Sequence, residues 1–149
     1  MSAPASAAQG WHARLVELGI RLPAVQSGGH VYTSGQLPFV DGGLRRTGKV
    51  GGSVDPDHAA DDARICALNA LAAVDELVGL DSVARIVKVV GYVASAEGFT
   101  GQPRVVNGAS ELLGKIFGPA GRHARSAVGV AELPLGSPVE VELIVELRG

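Results

Sequence analysis

An arginine and a glutamate on two successive β-prone runs, Arg125 and Glu140, are the residues of this chain best suited to chemistry. A guanidinium presents parallel N–H donors that fit a carboxylate. A glutamate can orient a water and pass protons. Over 139–147, Val139, Val141, Leu143, Val145 and Leu147 alternate with Glu140, Glu142, Ile144 and Glu146. Period two puts the first set on one face and the glutamates on the other. Over 125–132, Ser126, Val128 and Val130 alternate with Arg125, Ala127, Gly129 and Ala131. We read the two runs as a hairpin with both valine-rich faces beneath the helices, because a one-residue slip would expose one valine set. That register puts Arg125 and Glu140 together on the face away from the helices. The small residues Ala127, Gly129 and Ala131 then leave room for a bound carboxylate beside Arg125. Pattern alone keeps a plainer reading open, a solvated face on which Arg125 pairs with Glu146 or Glu142.

Other chemistry-bearing residues give weaker signals. Residues 43–50, from Gly43 to Lys49 and Val50, match most of a phosphate-binding loop. Val50 stands where a magnesium-holding hydroxyl belongs and no helix follows directly, so a basic hairpin tip is the reading. His12, His30, His58 and His123 show no metal-ligand spacing with one another or with Cys66. His123 could line a cleft with Arg125, but a surface histidine is the plainer assignment. Cys66 reads as a buried packing residue, since no basic partner neighbours it in sequence.

The elements that must position these residues are legible from caps and periods. Trp11, Leu15 and Leu18 share a helical face, and residues 1–10 read as a disordered tail ahead of a single domain over 11–149. Gly28-Gly29 marks a hairpin, and Asp41-Gly42-Gly43 a second, short one. Asp55 and Pro56 open a helix whose stripe is Ala63, Ala67, Leu71, Val74 and Val78, with Gly79 at its end. Asp57, Asp61 and Asp62 complement its dipole. Residues 83–94 read as a strand. Residues 103–117 read as a helix with Val106, Ser110, Leu113 and Phe117 on one face. The expected fold is α+β, one mixed sheet with both helices on a single face, plus the N-terminal helix.

Composition narrows the partners. The chain has 149 residues and a net charge of −2, which gives no reason to expect a polyanion partner. No run approaches the length of a membrane span. One cysteine allows no internal disulfide, which suits a reducing compartment, so the cytoplasm is the expected location.

Residues 124–128, Ala-Arg-Ser-Ala-Val, followed by Leu133-Pro134 and Val139-Glu140-Val141-Glu142, resemble the C-terminal signature of the Rid family (RidA/YjgF-like, once called endoribonuclease L-PSP). Residues 32–38, Tyr-Thr-Ser-Gly-Gln-Leu-Pro, resemble its other hallmark, and residues 86–93 and Asn107 also fit. The resemblance runs from about residue 22 to the end. It implies a chorismate-mutase-like fold and a homotrimer with sites in the clefts between subunits. It implies an enamine or imine deaminase acting on substrates of the 2-aminoacrylate and 2-iminopropionate type. Arg125 takes the position of the carboxylate-binding arginine and Glu140 that of the water-positioning glutamate. Ser34, Gly35, Asn107 and Ala127 fall on substrate-binding positions, with no metal or organic cofactor. Arg21 stands where the deaminases carry a tyrosine, and Ala127 where they carry a cysteine, which points to a divergent subgroup. A non-enzymatic trimer binding small carboxylates is the alternative. An endoribonuclease or translation inhibitor fits less well.

Overall fold

The computed structural model describes residues 23–149. The expected tail, the helix expected around Trp11 and Arg21 lie outside them. Ala24–Ser27 (β1) and His30–Thr33 (β2) pair antiparallel. Gly28 turns the chain with φ 56°, the angle that the first central position of a two-residue hairpin needs. Phe39–Val40 (β3) and Gly43–Leu44 (β4) form the second hairpin, turning through Asp41 (φ 51°) and Gly42 (φ 82°).

Pro56–Val78 (α1) starts where the sequence places its cap. The Asp55 side chain accepts from the Asp57 N–H at 2.7 Å, and Pro56 spends no hydrogen bond in the first turn. Ala63, Ala67, Leu71 and Val74 are buried along its inner stripe. Val83–Ala94 (β5) leads into Gln102–Phe117 (α2), then Ala124–Val130 (β6) and Val139–Leu147 (β7). The five-stranded sheet has the order β1-β2-β7-β5-β6. Only β5 and β6 run parallel, joined by the α2 crossover. β7 is the middle strand, and its Val139, Val141, Leu143 and Val145 are at most 1% exposed. The core forms between that row and the two helices, which pack on one face of the sheet.

The expected hairpin of the last two strands does not form: β5 lies between β6 and β7. The α2 crossover lays β6 along the outer edge of β5, so β7 must return to the inner edge. The connection crosses the end of β5, where the Ala94 N–H donates to Pro138 O at 2.9 Å and the Ser95 N–H to Val130 O at 3.1 Å. The basic residues at 45–49 are not a free tip either. Arg45 and Arg46 both reach Asp62 Oδ1, at 3.1 and 2.7 Å. Asp62 is 1% exposed, so it is a buried tie between α1 and the hairpin rather than a surface dipole complement. Cys66 is fully buried, as expected. Burial first, then the charges of Asp62 and Glu140, push its thiol well above the usual range, so it is not a ready nucleophile.

Glycine sets how closely the helices cross. A Cβ on Gly108 of α2 would stand 1.9 Å from the backbone oxygen of Ala60 on α1, whereas one on Gly114 would meet nothing within 4 Å. Gly108→Ala is therefore expected to cost about 1–3 kcal/mol by forcing the helices apart. Gly114→Ala is expected to gain about 0.5–1 kcal/mol from helix propensity alone. Urea unfolding of both variants checks the contrast, and equal midpoints would refute it.

Candidate functional site

β6 is an edge strand, and Arg125 lies near its start. Its side chain points toward α2, not toward the open face. Nη1 donates to Asn107 Oδ1 at 2.8 Å and to Ser110 Oγ at 3.2 Å. Ala127 likewise packs against the core, and a Cβ on Gly129 would come within 2.7 Å of Gln102 Nε2. Ser126 and Val128 take the other parity, and Val128 is 43% exposed. The expected assignment of faces on β6 is thus inverted. Its small residues give clearance to a close helix and are not space left for a ligand on the open side.

Glu140 is on the open face, because Val139 and Val141 on either side of it are fully buried beneath α1. Within one chain Arg125 and Glu140 therefore stand on opposite faces of the sheet, two strands apart, and not together as the hairpin reading had them. The plainer salt-bridge reading also fails. Among the described residues Arg125 forms no ion pair. Glu142 instead accepts the Tyr92 phenol at 2.7 Å.

Ser34 and Gly35 join Glu140 through a break in the β2–β7 ladder. The ladder ends at Tyr32↔Ile144. The Leu143 N–H then donates to the Thr33 hydroxyl at 2.9 Å, and Gln36 exchanges two bonds with Val141, at 2.8 and 3.1 Å. Between these anchors the chain rises over β7. A Cβ on Gly35 would lie 1.9 Å from Glu140 Oε2, so the carboxylate rests directly on the glycine. The sequence-predicted residues thus fall into two groups. Arg125, Asn107 and Ala127 lie between β6 and α2, and Ser34, Gly35 and Glu140 lie at the β2–β7 bulge.

Two further residues belong with Arg125. Ser110 Oγ is 2.9 Å from His123 Nε2, and His123 Nδ1 is 2.6 Å from Gly121 O. His123 is half-buried and bonded through both nitrogens, not a loose surface residue. Ser110 and His123 line an open cleft of about 530 Å3. A signal for Ser110 existed: it is a hydroxyl in an otherwise apolar stripe, one helical turn after Asn107. A signal for His123 existed too, since it shares strand parity with Arg125.

On the open face, Tyr92 sits opposite Glu140 in the register and bonds to Glu142. The hydrogen bond to Glu142, then burial, then the charges of Glu142 and Glu140, push its phenol up to about 12. A raised phenol stabilises the fold fully below its unfolded value near 10, and that contribution is lost as the pH climbs through 12. In a Tyr32→Phe background, ultraviolet titration is expected to show Tyr92 ionising near pH 12, and lower in Glu142→Gln. No change in Glu142→Gln would show that the hydrogen bond is not the cause.

Comparison with known proteins supplies the relatives. The endoribonuclease L-PSP family matches residues 21–147. Protein TCP17 of Trypanosoma cruzi is 45% identical over 91% of this chain and 93% of its own. The crystal structure of Atu1372 from Agrobacterium tumefaciens, a protein of unknown function, superposes with a TM-score of 0.84 at 42% identity over 92% of each chain. The YjgF structure from E. coli superposes with a TM-score of 0.61 at 27% identity, over 85% of this chain and 87% of that one. The shared five-stranded sheet and helix pair, and a match spanning nearly every described residue, make this chain a member of the endoribonuclease L-PSP (RidA/YjgF) family, on a branch nearer Atu1372 and TCP17 than YjgF.

Proposed function

We propose that this protein is an imine/enamine deaminase that hydrolyses small carboxylate-bearing intermediates of the 2-aminoacrylate and 2-iminopropionate type. One observation carries the reading. Arg125 is held on Nη1 by two neutral acceptors, while its Nε and Nη2 donate to no described residue and no described carboxylate pairs with it. An arginine so fixed keeps its charge and one edge of its fork for a ligand carboxylate. Asn107 and Ser110 set the orientation, so little order remains to be imposed when the ligand binds.

Glu140 is the proposed water-positioning group, with Ser34 and Gly35 beside it. Since one sheet separates it from Arg125, a site using both takes Arg125 from one copy and Glu140 from another. This favours the homotrimer with inter-subunit sites that the family resemblance implies. The open face is in keeping with it: Val25, Tyr32 and Val128 are 54%, 42% and 43% exposed there, apolar side chains that a second copy would cover. A second reading, a carboxylate-binding trimer without turnover, is favoured by Arg21 and Ala127 standing where the deaminases carry a tyrosine and a cysteine.

The test generates 2-aminoacrylate with a dehydratase and follows its loss. Loss is expected to exceed the buffer rate and to fall about a hundredfold or more in Arg125→Ala. Gly35→Ala is expected to lower the rate while leaving stability nearly unchanged, because the new methyl displaces a carboxylate and not backbone. Loss no faster than in buffer, with saturable binding of 2-oxobutyrate, would select the binding-only reading. Loss above the buffer rate but equal in wild type and Arg125→Ala, with 2-oxobutyrate bound equally by both, would end both readings.

A further inference from the structure

Among the described residues, Ser110 and His123 form a hydroxyl–imidazole pair bonded directly to Arg125. Gly121 O can only accept, so His123 donates its Nδ1–H to it at 2.6 Å. In the neutral ring Nε2 is then an acceptor, and the Ser110 hydroxyl stands 2.9 Å away with a proton to give. A remaining lone pair of Ser110 takes Arg125 Nη1 at 3.2 Å. Hydroxyl, base and fixing carbonyl thus lie in one chain of bonds that ends at the arginine. Both Ser110 and His123 line the open cleft, which gives water and small ligands access to them. A serine whose proton is committed to a ring nitrogen, with that ring oriented by a third group, is the arrangement of an activated hydroxyl.

We infer that Ser110 relays protons between a ligand held on Arg125 and His123, which stores them. The inference rests on the reading of Arg125 as a carboxylate site. For a protonated imine, water adds to the C=N carbon, Ser110 takes the proton the water loses, and its own proton passes to His123 Nε2. The same path returns that proton to the amine nitrogen. The C–N bond then breaks, its electron pair leaving with ammonia. The hydroxyl proton of the carbinolamine follows the path back to His123 and on to solvent. The balance is iminium plus water to ketone, ammonia and one proton, with no oxidant or metal. Glu140 of a second copy orients the water, and Ser110 carries the charge movement.

Two measurements test the relay. In the first, ring 15N shifts of His123 in the unliganded wild type are expected to show the Nδ1–H tautomer at neutral pH. An Nε2–H tautomer overturns the relay whatever the enzyme's activity. In the second, His123→Gln keeps an acceptor for Ser110 but cannot store a proton. It is expected to lower kcat for 2-aminoacrylate loss about 10²-fold with KM within about threefold of wild type. Ser110→Ala should lower kcat to a similar extent and also raise KM, because Ser110 helps to hold Arg125, whereas Arg125→Lys should act chiefly on KM. Added imidazole should restore part of the rate in His123→Ala and none in Ser110→Ala. Unchanged kcat in both His123→Gln and Ser110→Ala, in a wild type that turns over, overturns the inference while leaving the carboxylate site standing. A wild type that neither turns over nor binds 2-oxobutyrate refutes the carboxylate site and this inference with it.

Discussion

The depth at which α2 lies against the sheet and α1 governs the rest of the molecule. Three glycines make that depth possible. Gly108 lets α2 touch the backbone of α1 at Ala60. Gly91 lets Val106 sit where a Cβ would come within 2.4 Å of its methyl. Gly129 admits Gln102 over the end of β6. Drawn down this far, the helix brings Asn107 and Ser110 directly onto the Arg125 guanidinium. A helix standing off by one side-chain layer would leave Arg125 to pair with whatever surface carboxylate came within reach. Packing density between helix and sheet is here the cause of an electrostatic state.

The bulge at residues 33–36 performs the matching task at the other end of the sheet. Thr33 replaces one ladder bond with its hydroxyl, and Gln36 restores the backbone pairing two residues after Ser34. Without Thr33 the buried Leu143 N–H would lose its partner, a cost comparable to a lost hydrogen bond. Gly35 can then lie on Glu140 because it has no Cβ, and its backbone angle is not left-handed. The glycine serves close approach rather than turn geometry. Glu140, Glu142 and Tyr92 thus form an acidic cluster on a face whose neighbours Val25, Tyr32 and Val128 are apolar. A proposed second copy must meet both characters at once, which suits a cationic edge such as that around Arg125.

The elements were largely legible in the sequence, because caps, turn glycines and apolar periods act over a few residues. Asp55-Pro56, Gly28-Gly29 and the row of Val139, Val141, Leu143 and Val145 each state their local structure. The partnering of β6 was not legible. Period two says which residues share a face but not which face is buried, and the valine rule assumes that apolar parity points to the chain's own core. On β6 that rule inverted, since Val128 faces outward and Ala127 and Gly129 lie under α2. Close packing selected the small residues for the inside. With the strand order also unknown, Arg125 and Glu140 were placed on one face when they stand on two. Motif spacing marked Arg125, Asn107, Ser34, Gly35 and Glu140 without any assumption about which side of the sheet each occupies.

The chain contains two arginine sites solved in opposite ways, and the contrast bears on what Arg125 is for. Arg45 and Arg46 converge on Asp62, a carboxylate buried to 1% exposure whose Oδ2 has no hydrogen-bond partner among the described residues. A carboxylate partly offsets the charge there, and the tie holds the 39–46 hairpin to α1. Such a pair recovers little net stability once desolvation is counted, so its value lies in fixing one geometry. Around Arg125 the fold had the same opportunity, since glutamates lie on β7 two strands away, yet the sheet keeps them on its far side. The groups that reach Arg125 are an amide and a hydroxyl, which orient a guanidinium without neutralising it. Keeping a half-buried positive charge uncompensated costs stability. Withholding the carboxylate and supplying neutral acceptors is what the proposed anion site requires of the fold. On the proposed reading that cost is offset when the anion binds, and the Ser110–His123 chain is the part of the arrangement that chemistry at that anion would use.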